Sequence, residues 1–259
     1  MIALKVKNER AMVKTVSDYK NLAVSEKKRI VKIGVIDGEI DKEHIAFSDL
    51  YSIKKRYFSD NITDSDITHG TSVLGVICGN NDLGIGDSRY LEVMNAVILS
   101  DGLASSGNLK QAIEWCIEQE VEVINVSVAF TIFRKELLEI INSDKAKNIL
   151  FIFSNGNFDT QKRILKKEVN NMIFVGATDS NGNKAYMNSN SNADVYFQGI
   201  DIMTAIGENK FQNMKGTTYS TAIATGLSVK KLQSTKSREE NQVKYLKNFI
   251  FSQSTIHGE

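Results

Sequence analysis

The chain has 259 residues, 42% of them apolar and 24% charged, which is the composition of a globular protein with a substantial core and excludes a disordered one. Its 32 basic and 31 acidic residues leave a net charge of +1, which argues against nucleic acid as a main partner. Two cysteines, Cys78 and Cys116, are too few for a disulfide framework or a zinc site, and no apolar run approaches the roughly 18 residues of a membrane span.

Residues 1–29 read as an N-terminal extension with charges every few positions and no apolar signal-peptide core, so a cytoplasmic location is expected. "IVKIGVID" (30–37) is a continuous apolar run ending at Gly38, the pattern of a buried parallel strand. A polar loop follows, and "HGTSVLGVICG" (69–79) has helical spacing. "YLEVMNAVIL" (90–99) reads as a strand and "SGNLKQAIEWCIEQE" (106–120) as an amphipathic helix. "VEVINVSVAF" (121–130), "FRKELLEIINSDKAK" (133–147) and "NILFIFSNGN" (148–157) continue as strand, helix, strand. "NMIFVGATDS" (171–180) is a fifth strand and "AIATGLSVKKLQ" (222–233) a helix. The charged tail, 234–259, holds one amphipathic helix in "NQVKYLKNFIF". Proline is absent, so turns fall to Gly, Asn, Asp and Ser. This alternation predicts an α/β fold with a mostly parallel sheet covered by helices on both faces, in one domain spanning 30–233. Functional residues of such sheets gather beyond the carboxyl ends of the strands.

Three places carry candidate chemistry. Asp37 ends the first strand, where a carboxylate caps a turn or orients a base. His69 is read at the start of a helix, between a Thr and a Gly, where an imidazole caps, packs or accepts a hydroxyl proton. "KGTTYSTAIATG" (215–226) places Thr217, Thr218, Ser220 and Thr221 behind Gly216, where hydroxyls cap a helix or gain from its positive end. "DNITDSDIT" (60–68) reads as a solvated acidic loop, with a cation site as its alternative. "GIG" (84–86) lacks the third glycine and the position of a phosphate loop.

Taken together, "VIDGEID", "HGTSVLGVICG", "AIEWCIEQEVEVINVSVAF", "FSNGN" and "KGTTYSTAIATG", in that order, resemble the segments of the subtilisin-like serine peptidases (subtilases). The resemblance covers about residues 30 to 232. It implies the three-layer subtilisin-like α/β fold and peptide-bond hydrolysis, with a peptide or extended protein segment as substrate; no cofactor or metal is assigned from the sequence, which leaves calcium dependence open. Asp37 would orient His69, His69 would act as general base, and Asn157 would supply the side-chain donor to an oxyanion. Ser127, Val128, Ala129 and Phe130 would form one wall of the substrate cleft, with Ser154, Asn155 and Gly156 at its floor.

The family's serine position falls on Thr218. Ser220 lies two residues on, about 200° around a helix, and does not substitute for it. The extra methyl of threonine restricts χ1 beside the imidazole, so two functions are carried forward. One is a peptidase with a threonine nucleophile that processes a specific peptide. The other is a pseudopeptidase that binds a peptide or protein in a retained cleft. The chain departs from the family also at Val128, Ala129 and Phe130, where glycines are usual, and at Ala222, where proline is usual.

Overall fold

The structure is a computed structural model, and it describes residues 14–25, 28–80, 82–128, 135–157, 169–188, 192–237 and 240–257. Helix α1 (Val16–Lys20) is capped by Thr15 and anchored by the buried Tyr19. Strand β1 (Val31–Asp37) follows, then β2 (Ser52–Tyr57), α2 (Asp64–Cys78), β3 (Leu91–Val97), α3 (Ser106–Glu118) and β4 (Val123–Val126). Next come α4 (Lys135–Ile141), β5 (Leu150–Ser154), β6 (Met172–Thr178), β7 (Val195–Gln198) and the antiparallel pair β8 (Ile202–Ile206) and β9 (Lys210–Met214). The chain ends in α5 (Thr217–Gln233), α6 (Gln242–Gln253) and β10 (Ile256–His257).

Among the described residues, eight strands form one sheet in the order β10-β7-β6-β5-β4-β1-β3-β2. All neighbours are parallel except β10, which runs antiparallel to β7. The predicted three-layer α/β architecture is therefore the one observed. Strands β1, β4, β5 and β6 are apolar nearly throughout because both of their faces are covered. One face packs Val73, Leu74, Val76 and Ile77 of α2 with Ile223, Leu227 and Val229 of α5, Tyr19 of α1, and Leu246 and Ile250 of α6. The other packs Leu109, Ile113 and Trp115 of α3 with Leu137 and Ile141 of α4. Both cysteines are buried free thiols, one in each layer.

The structure corrects several boundaries. Helix α2 starts at Asp64, five residues before His69, so the acidic stretch is partly the helix's first turn and not a loop. Its signal is a capping box. Thr63 Oγ1 accepts from the Asp66 N–H, and the Asp66 carboxylate accepts from the Thr63 N–H and hydroxyl. Helix α5 starts at Thr217, five residues earlier than the small-residue pattern suggested. The "GIG" turn closes α2, with the N–H groups of Ile85 and Gly86 both donating to the Ile77 carbonyl. The tail is integrated into the fold, since α6 packs on the core and β10 extends the sheet. Residues 14–25, 28 and 29 of the N-terminal stretch are tied in likewise. The Tyr19 hydroxyl reaches the Gln253 carbonyl, and Arg29 forms a two-pronged pair with the buried Glu122 at 2.8 and 2.7 Å.

Candidate active site

Because β1, β4 and β5 are parallel neighbours, their carboxyl ends open on one edge of the sheet. Asp37 ends β1 fully buried, Ser127 follows β4, and Ser154 ends β5. Helices α2 and α5 pack side by side on one face and bring His69 and Thr218 to that edge.

The His69 Nδ1 lies 2.6 Å from Asp37 Oδ1, which also accepts the Gly38 N–H at 2.6 Å. Because Asp37 Oδ1 accepts at this position, it fixes the tautomer with the proton on Nδ1 and leaves Nε2 as the accepting nitrogen. Gly38 is required by space, since a Cβ there would sit 2.0 Å from the Asp66 carbonyl oxygen. The other carboxylate oxygen, Asp37 Oδ2, is buried with no hydrogen-bond partner among the described residues. The imidazole is one-third exposed, at 32% of its side chain. Burial alone would depress its pKa. The charge and hydrogen bond of Asp37, with a smaller push from Asp66, outweigh that and hold it above the ordinary value.

The run from Thr217 to Thr221 has a separate partner for each hydroxyl. Thr217 Oγ1 meets Ser154 Oγ at 2.7 Å and Asn157 Oδ1 at 3.0 Å. Thr218 Oγ1 donates to the Ser127 carbonyl at 3.1 Å, and Ser127 Oγ returns a long bond to the Thr218 carbonyl at 3.5 Å. Ser220 Oγ reaches the carbonyls of Phe197 and Gln198 on β7, at 3.0 and 3.2 Å, turned away from the histidine. Thr221 bonds back to the Thr217 carbonyl. No hydrogen bond joins Thr218 to the His69 ring among the described residues.

Asn157 is oriented by its neighbours. Its Oδ1 accepts both the Thr217 N–H and hydroxyl at 3.0 Å, which turns Nδ2 toward the bare face of Gly216. A Cβ at Gly216 would come within 3.3 Å of that nitrogen, and φ there is +150°, a conformation that favours glycine. As a residue of the first turn of α5, Thr218 also has an N–H without an intrahelical acceptor.

A cleft of about 210 Å³ is lined by His69, Thr218, Asn157, Gly156, Ser154, Ser127 and Val128 among others. Asn155 stands behind it, 1% exposed, with its N–H on the Val175 carbonyl of β6. Ala129 and Phe130 lie outside the described residues. Asp66, which the sequence reading placed in a solvated loop, is buried beside this cleft. Its carboxylate binds the N–H groups of Asp101 and Gly102 at 2.9 Å, as well as Thr63. These bonds hold a tight turn at the rim, where Asp101 and Gly102 have φ of +51° and +73°. The Thr63–Asp66 spacing was the signal that would have found this residue.

The family model described as the subtilase family matches residues 28–250. The chain belongs to the subtilase family. Among subtilases it is 24% identical over 193 residues to alkaline elastase YaB of Bacillus sp. (strain YaB), covering 73% of this chain and 51% of that protein. It is 25% identical over 186 residues to subtilisin BL of Lederbergia lenta, covering 70% and 69%. With halolysin of Haloferax mediterranei it shares 27% identity over 209 residues, covering 76% and 40%. The chain thus spans about half the length of the elastase and less of halolysin.

Among solved structures, the subtilase-like arrangement aligns with prenylagaramide maturation protease PagA at a TM-score of 0.70 and 22% identity, over 85% of this chain and 82% of that one. A cold-adapted subtilisin-like serine proteinase aligns at 0.69 with 21% identity, over the same shares. At these identities the likeness is one of fold. No helix among the described residues is long and apolar enough to cross a membrane.

Proposed function

We propose that the chain hydrolyses peptide bonds, with Thr218 as the attacking hydroxyl, and processes a specific peptide. In this reading His69 Nε2 takes the Thr218 proton as Oγ1 bonds to the scissile carbonyl carbon. The carbonyl oxygen becomes an oxyanion held by Asn157 Nδ2 and the Thr218 N–H. The C–N bond then breaks, the amine leaves with the proton from His69, and water hydrolyses the ester. Asp37 keeps the imidazole in the accepting tautomer and stabilises its cationic form. The observation that carries this reading is the 2.6 Å Asp37–His69 contact, in a cleft whose lining also includes Thr218 and Asn157. A scaffold without chemistry has no need of that combination.

The Thr218 hydroxyl bonded to Ser127 favours a second reading, a cleft that holds an extended peptide without cutting it. There the end of β4 at Ser127 and Val128 would pair with the bound segment as an added strand. Treatment with a fluorophosphonate separates the two. Modification mapped to Thr218, and lost in His69→Ala, supports hydrolysis. Folded protein that stays unmodified belongs to the binding reading.

A further inference from the structure

Tyr219 follows Thr218 directly and is 2% exposed, its ring packed in the core layer with α2. Its hydroxyl lies 3.1 Å from Ser72 Oγ, and Ser72 Oγ donates to the His69 carbonyl at 2.8 Å. Since the serine's single proton is committed to that carbonyl, the tyrosine is the donor. The chain runs from Tyr219 O–H to Ser72 O–H to His69 C=O. Thr204 Oγ1 holds the same turn from β8 by donating to the Ser72 carbonyl at 2.7 Å. Among the described residues this is the one hydrogen bond between the first turn of α5 and helix α2. The remaining contact between these helices is apolar packing, which is not directional.

We infer that Tyr219 is a positioning residue, setting the distance between the turn that carries Thr218 and the turn that carries His69. The burial of the phenol and the nearby charge of Asp37 push its pKa up to about 12, against the lowering effect of the Ser72 bond. It therefore stays protonated and remains a donor across the working range. The inference rests on the reading of position 218 as the reacting group, but one of its two tests does not.

The first test is inactivation by a fluorophosphonate in the Thr218→Ser background, with and without Tyr219→Phe. The phenylalanine keeps the ring and removes the donor, so the maximal inactivation rate is expected to fall about ten-fold while the half-saturating concentration is unchanged. The second is the NMR titration of the His69 ring in the otherwise natural chain. Its midpoint is expected to drop by about half a unit in Tyr219→Phe as the histidine loosens from Asp37, with Asp66 the other charge facing it. Ser72→Ala, judged by both readouts, should match Tyr219→Phe, and the double variant should add nothing further. If Thr218→Ser never reacts, the proposed chemistry fails and the titration alone decides. A folded Tyr219→Phe, or Ser72→Ala if the former fails to fold, that leaves both readouts unmoved overturns the inference.

Discussion

The Thr218 hydroxyl donates to the Ser127 carbonyl at 3.1 Å, so the attacking group of the proposed reaction rests on the wall of the cleft and not on its base. A β-branched residue has few χ1 choices inside a helix turn, and the methyl of Thr218 makes rotation toward His69 more crowded than it would be for serine. Thr218→Ser is therefore expected to raise hydrolysis or fluorophosphonate reactivity by about ten-fold or more. Labelling rates on the two proteins check this directly, and a serine variant no faster than the natural chain would mean that the cleft itself is unsuited to attack.

The Asp37–His69 pair sets a pH dependence. Because the folded imidazole sits above the usual value of about 6.5, the base becomes available only as pH rises through that higher midpoint. Activity should climb through an inflection above the ordinary imidazole range, and Asp37→Asn should lower both rate and midpoint. The stability contribution has the opposite sense. It is complete below the unfolded pKa and fades as pH rises through the folded one. The melting temperature lost in His69→Gln should therefore be larger at pH 5.5 than at pH 9, read by calorimetry.

Asp66 joins the α2 cap to the rim turn at Asp101 and Gly102. Burial favours its neutral form, but the backbone N–H and hydroxyl bonds from Thr63, Gly102 and Asp101 hold its pKa below the usual range. Its contribution is present above the unfolded value and lost as pH falls through the folded one. Asp66→Ala leaves buried donors unpaired and should cost about 2–4 kcal/mol in urea unfolding. Hydrogen exchange at Asp101 and Gly102 should accelerate with it, whereas a change in stability without that acceleration would separate the cap from the rim.

Arg29 and Glu122 tie the segment before β1 to the start of β4. Arg29→Ala removes the guanidinium from a carboxylate that is 3% exposed, at an expected cost of about 3 kcal/mol. Arg29→Lys recovers only part of this because an ammonium cannot match both oxygens. Denaturant midpoints of the three proteins test the order.

The sequence made some parts of this molecule plain and hid others, for physical reasons. The apolar runs of β1, β4, β5 and β6 are visible because strands covered on both faces carry no polar alternation. Strand β2, "SIKKRY", has one neighbouring strand among the described residues and carries three cations, so its composition looks like a loop. The β8–β9 hairpin turns through Glu208 and Asn209, both with positive φ, and lacks the Asn-Gly pair that marks such turns most clearly. The starts of α2 and α5 are hidden in the sequence because their first turns are rich in hydroxyl and acidic residues, which suit caps as well as loops. The order of their segments is what singles out Asp37, His69 and Asn157 as candidates. The partner of Thr218 was not legible, because a side-chain rotamer depends on which carbonyl the fold sets beside it.

The two rims of the eight-stranded sheet are defended by different means. At one end the two residues of β10 occupy the free side of β7, so the chain shields that border with its own tail. At the other, β2 is flanked by a single strand among the described residues, and Lys54, Lys55 and Arg56 stand in sequence along it. Lys55 is paired with Glu39 at 2.8 Å, but a second molecule approaching that border would bring the exposed Lys54 and Arg56 against their own copies, and the repulsion discourages edge-to-edge stacking. Replacing Lys54 and Arg56 with neutral residues would remove that guard.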